Sequence, residues 1–232
     1  MRGLWARVWL RYVLVGTLLA AGIAGYLALR HERRAAQLAD NQTQLEQACR
    51  GLLPVSELRP YLPADSAGEL AEFGTLADGG PSRSLYDCTL MWGASHTGWE
   101  PDALVRVHAV AALPGEEDRL GPPDLDDEVG TWRTPPGISG TLTYDSGLGR
   151  ANLTAWLHVR CRGDLTGRVR PSRDLRISVE LPVRAGFPSD LTPAERLAPA
   201  RTAVRAANWV TARQKHCAAP RLSMPTGVVM AK

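Results

Sequence analysis

The chain has 232 residues, 44% of them hydrophobic and 22% charged, with 22 glycines and 17 prolines. A chain of this length holds one or two domains, is too apolar to be disordered, and has no Gly-X-Y period to suggest collagen. The formal charge of +3 is unevenly placed: residues 1–34 hold six arginines against Glu32, so the remainder is slightly acidic and has no electrostatic claim on nucleic acid.

Residues 1–11 are basic and carry Trp5 and Trp9. Tyr12 to Leu29 then runs without a charge between Arg11 and Arg30. About 18 apolar residues is the minimum for a membrane-crossing helix, and tryptophans at its edge suit the interfacial belt. The alternative is a cleaved signal peptide, but the run exceeds the usual signal length, and arginines follow where a small-residue cleavage site belongs. The expectation is an uncleaved single-pass helix over 12–29, with residues 1–11 in the cytoplasm. All four cysteines, Cys49, Cys88, Cys161 and Cys217, fall in the body, and none forms Cys-x-x-Cys. Two disulfides in an oxidising compartment fit that set better than a zinc or thioredoxin-type motif. The body is therefore expected to be extracytoplasmic.

Residues 30–50 are polar and free of proline, with Leu38, Leu45, Ala48 and Leu52 at helical intervals, which predicts a juxtamembrane stalk helix. Gly51 and Pro54 end it, and a short second helix starts at Pro54. Residues 51–220 form the expected extracytoplasmic domain. Residues 74–83 have loop composition. Alternating apolar and polar positions then predict strands at 84–92, 103–111, 138–144, 152–161 and 175–183. A last helix begins at Thr192-Pro193-Ala194-Glu195, a capping box with proline at the first position. Its apolar line is Leu197, Ala200, Val204, Ala207 and Val210; Pro199 predicts a kink or a true start near Ala198. Residues 221–232 read as a loose tail. The fold class is α+β: an N-terminal transmembrane helix, then an antiparallel sheet of about five strands with flanking helices on one face. On that order, pairing Cys49 with Cys88 and Cys161 with Cys217 would staple each terminal helix to the sheet, although four cysteines allow three pairings.

Cys49-Arg50-Gly51-Leu52-Leu53-Pro54, followed by Tyr86-Asp87-Cys88-Thr89 and Trp92, resembles the Cys…Leu-Leu-Pro…Cys-Thr-x-x-Trp pattern of uncharacterised actinobacterial envelope proteins, many of them lipoproteins or single-span membrane proteins. Lys215 and Lys232 are the only lysines among 27 basic residues, an arginine bias that agrees with a high-GC genome. This chain lacks the lipid-bearing cysteine. The resemblance implies an anchored extracytoplasmic α+β domain and brings no activity with it.

No nucleophile, zinc-protease or phosphate-loop motif occurs. Ser95-His96 is an adjacent pair without a third partner. Asp124, Asp126, Asp127 and Glu128 lack the spacing of a calcium loop. No cofactor or metal is expected. The least ordinary feature is the polar face of the sheet, where strand parity collects Arg106, His108, Trp156, His158, Arg160 and Arg176. Such a face suits an anionic ligand or a protein partner, or is simply solvated. The expected function is a membrane-anchored interaction or ligand-binding module of the cell envelope, and no catalytic residues are assigned. Alternative readings are an envelope enzyme whose site is assembled only in three dimensions, and a structural subunit of a secretion or wall-assembly complex.

Overall fold

The computed structural model describes residues 2–58, 70–76, 84–92, 103–112, 128–134, 138–146, 151–163, 165, 172–183, 186–214 and 217–231; side chains are described over the same residues except 2–14, 37, 70–76, 91, 92, 103, 104 and 128. The Ser95-His96 pair and Asp124, Asp126 and Asp127 lie outside the described residues.

One helix, α1, runs from Arg2 to Gln47 without interruption. At the α-helical rise it is about 69 Å long. Its second half is rich in Ala, Leu, Arg and Gln, all strong helix formers. Gln42 donates to Glu46 at 3.4 Å and Gln44 to Asp40 at 3.4 Å, each one turn away. Among the described residues no helix is long and apolar enough to cross a membrane. The expected span starts at Tyr12, whereas the described side chains of α1 start at Val15. From there Leu18 (70% exposed), Leu19, Ile23, Tyr26, Leu27 and Leu29 all face outward without cover.

Among the described residues, the last turns of α1 are the part buried against the body. Leu38 is half-buried, and Asn41, Leu45 and Ala48 are buried, a 3-4-3 spacing that sets one stripe against the domain. The chain then turns sharply. Cys49, Arg50 and Gly51 have φ of 49°, 61° and 71°. Left-handed backbone is routine for glycine but uncommon for cysteine or arginine, so two of these three residues must be held in place. The Cys49–Cys88 disulfide supplies one such restraint, and the packing of Leu52, Leu53 and Leu58 another. The short helix α2, Val55–Leu58, follows.

Among the described residues the sheet has eight strands rather than five, and every pairing in it is antiparallel. They are β1 Leu70–Leu76, β2 Ser84–Trp92, β3 Ala103–Ala112, β4 Glu128–Thr134, β5 Ile138–Asp145, β6 Ala151–Arg160, β7 Asp174–Val183 and β8 Val228–Met230, in the order β1-β2-β3-β7-β6-β5-β4-β8. The five expected strands are β2, β3, β5, β6 and β7. Strand β1 takes Gly74–Leu76 out of the expected loop. The centre of the sheet follows the predicted parity: Val105, Val107, Ala109 and Ala111 of β3, Leu175, Ile177, Val179 and Leu181 of β7, and Leu153, Ala155, Leu157 and Val159 of β6 are buried on one face. On β4, Trp132 is fully buried and lies across from Gly140 of β5.

Helix α3, Pro193–Thr211, lies on that apolar face, against β3, β5, β6 and β7. Its capping box is complete: the Glu195 N–H donates to Thr192 Oγ1 at 3.2 Å, and the Thr192 N–H donates to Glu195 Oε2 at 2.9 Å. The helix starts at Pro193 and passes through Pro199, so the later start near Ala198 is not adopted. Proline removes one intrahelical hydrogen bond there, while burial of Ala198, Pro199, Ala200, Ala203, Val204, Ala207 and Val210 holds the segment helical. Truncating Val204 to Ala removes fully buried methyls and should cost about 1–3 kcal/mol, read as a shift of the denaturant midpoint. Arg205→Ala, on the exposed side, should stay within about 0.5 kcal/mol.

The chain beyond Pro220 is not loose. The Asn208 side chain donates to the Leu222 carbonyl and accepts from the Leu222 N–H, both at 2.8 Å. Leu222 is buried, and β8 pairs with β4 at the sheet edge. A side-chain amide standing in for a strand partner leaves no turn signature in sequence. The two disulfides are Cys49–Cys88 and Cys161–Cys217.

Candidate functional site

The polar face of the sheet does collect the six residues that parity assigns to it, but its own carboxylates answer much of their charge. Arg106 pairs with Glu180 at 3.8 Å, and Asn152 donates to the same carboxylate at 2.9 Å. His158 Nε2 lies 2.9 Å from Asp174 Oδ1. Trp156 donates its indole N–H to Thr143 Oγ1 at 3.0 Å. Arg160 is opposite Asp174 in the β6–β7 register, Arg176 is opposite His158, and His108 is opposite Asp87 and Ser178. Opposite charges across neighbouring strands stabilise a sheet by a few tenths to about 1 kcal/mol each. The face is thus laced in part: Arg106 and His158 have carboxylate partners, while the buried Nε of Arg176 has no hydrogen-bond partner among the described residues.

A second place has the opposite character. On the outer side of α3 lies an open cleft of about 580 Å³, lined by Gly51 and Leu52, by Arg205, Asn208, Trp209, Thr211 and Ala212 of α3, and by Cys217, Ala219, Arg221 and Met224 of the returning chain. Each wall has an identifiable cause. The left-handed turn at Cys49–Gly51 brings Leu52 alongside α3. The Cys161–Cys217 disulfide and the Asn208–Leu222 pair hold the returning chain against the helix. Arg205 and Trp209 are one turn apart and share a side of α3, and Arg213 follows in the turn just past its end. The Trp209 ring is fixed on two sides: its centroid is 5.1 Å from that of Tyr86, and the Arg213 guanidinium carbon is 3.8 Å from it. An aromatic ring attracts a cation at that distance through its quadrupole.

No carboxylate lines the cleft among the described residues. Arg205 and Arg221 are both exposed and, among the described residues, neither is in an ion pair. The lining thus combines two available guanidinium groups with the apolar side chains of Leu52, Ala219 and Met224. Sequence reasoning passed over it because its walls come from three distant segments. The available signal was the Arg205-x-x-x-Trp209 spacing, off the apolar line of the same helix.

Among the described residues no group of three His, Cys, Asp or Glu side chains could hold a metal ion. No family model matches this chain, and no curated protein or solved structure matches it either.

Proposed function

We propose that this chain is a membrane-anchored, extracytoplasmic binding module of the cell envelope. Residues 12–29 cross the membrane, residues 1–11 stay in the cytoplasm, and the domain that follows presents a ligand-binding cleft. The observation that carries the reading is the continuity of α1, which exposes apolar side chains from Val15 to Leu29 and ends buried in a disulfide-bonded domain. An uncovered apolar helical surface of that size is costly in water and at home in a bilayer. The disulfides agree with an oxidising compartment. The uncharacterised envelope proteins with the Cys…Leu-Leu-Pro…Cys-Thr-x-x-Trp pattern fit the same picture.

The test is made on the full chain in cells. It should stay in the membrane pellet after alkaline carbonate washing, and protease added to intact spheroplasts should remove the body. After denaturation, all four cysteines should react with a polyethylene-glycol maleimide only if the protein is first reduced. Protection from the protease until lysis, or free thiols without reduction, would overturn the placement.

A further inference from the structure

We infer that the cleft on α3 binds a small amphipathic oxyanion, with Arg205 and Arg221 receiving a carboxylate or phosphate head and Leu52, Ala219, Met224 and the edge of Trp209 receiving an apolar body. This deepens the binding-module reading and rests on it only for the source of the ligand. Guanidinium groups recognise carboxylate and phosphate through paired N–H donors, and the cleft holds two of them with no acid to answer them. Its volume, about 580 Å³, falls among small-molecule sites. Apolar Leu52, Ala219 and Met224 and two exposed guanidinium groups line the same cleft, the combination an amphipathic anion requires. The cleft is also prepared before binding. Trp209 is clamped between Tyr86 and Arg213, Asn208 is committed to the Leu222 backbone, and the Cys161–Cys217 disulfide anchors one wall. Preorganisation of this kind reduces the ordering cost of binding.

Distance from the bilayer separates two sources of such a head group. The cleft begins at Gly51, and the stalk Arg30–Gln47 rises about 27 Å beyond the expected span. That is roughly three Debye lengths at physiological salt, so lipid head groups at the base of the stalk lie out of reach. A soluble or wall-derived anion is the ligand class.

The probes are phenyl phosphate and benzoate, with benzyl alcohol as the uncharged counterpart. Saturation-transfer NMR and equilibrium dialysis are run on the full chain in neutral nanodiscs. Both anions should bind and benzyl alcohol should not. The double variant R205Q/R221Q should weaken binding at least about tenfold, a loss of roughly 1.4 kcal/mol, whereas R133Q on exposed β4 should leave it unchanged. An unaltered melting temperature separates lost binding from lost folding, and R205K/R221K, which keeps charge without the planar fork, should fall between the two. If phenyl phosphate binds and benzoate does not, the head group is a phosphate; the reverse selects a carboxylate. Absence of binding by both anions, equal binding of the alcohol, or no effect of the double variant would overturn the site. None of those results touches the membrane and protease tests, so the site can fail while the anchored placement stands. Binding that appears only when anionic lipid is added to the nanodisc would overturn the choice of a soluble source.

Discussion

Replacing Gly140 by alanine is expected to destabilise the protein by about 3 kcal/mol, at the upper end of what overpacking a core does. The cause is a contact, not backbone conformation. Trp132 of β4 lies directly over Gly140 of β5, and an added methyl would overlap ring atoms Cε2 and Cζ2 and come within 2.7 Å of Nε1. A fully buried tryptophan in a close-packed interior has nowhere to retreat. Ser139→Ala, one residue away on the exposed side, should be nearly silent. The decisive comparison is a double-mutant cycle in denaturant: Gly140→Ala should cost much less on a Trp132→Leu background, because the two changes share one space. Equal costs on both backgrounds would mean that the ring does not sit over the glycine.

Removing the Cys161–Cys217 bridge by a double serine substitution should cost about 4 kcal/mol if the loop entropy of the unfolded chain dominates. The residues are 56 positions apart, so the cross-link denies the unfolded chain a large loop. The Cys49–Cys88 bridge, spanning 39 positions, should be worth nearly as much in midpoint but act elsewhere. Loss of the first loosens the returning wall of the cleft and should weaken phenyl phosphate binding. Loss of the second frees the end of α1 and releases Cys49 and Arg50 from left-handed backbone, so hydrogen exchange should rise at residues 45–53. Denaturant midpoints, with the other bridge intact, check the energies; exchange checks the location.

What the sequence revealed followed the strength of its local patterns. Four of the five strands read from alternation, β3, β5, β6 and β7, pack against α3, and β7 with Leu175, Ile177, Val179 and Leu181 inside is the clearest. The missed strands lack that signal. Strand β1, LAEFGTL, has a glycine in its middle and no β-branched run. Strand β4, EVGTWRT, offers one large core side chain, and β8 is three residues held by backbone pairing to β4. The observed cysteine pairing is the one expected from placing the cysteines on apolar strand faces and flanking helices, although Cys49 and Cys217 lie just past the ends of α1 and α3. The helix starts at the Thr192 capping box as the sequence reads; the later start near Ala198, one of two outcomes expected from Pro199, is not adopted because tertiary burial outweighs the loss of one hydrogen bond. The polar sheet face was placed correctly, but ion pairs such as Arg106–Glu180 join strands far apart in sequence, so its self-compensation was not visible. The cleft was hidden for the same reason: Leu52, Arg205 and Arg221 meet only through the fold.

The unbroken helix between the expected span and the domain has a mechanical meaning. A Gly- or Ser-rich tether would let the domain roam a hemisphere above its attachment point. Arg30–Gln47 contains neither glycine nor proline and is helical throughout, so it acts as a strut. On an anchored chain, the strut confines the cleft to a thin layer at one height, and a twist or tilt of the segment below is transmitted to it undamped. Anchored in this way, the proposed site would meet its ligand at a set altitude over the bilayer, and two such chains side by side would hold their clefts level with each other.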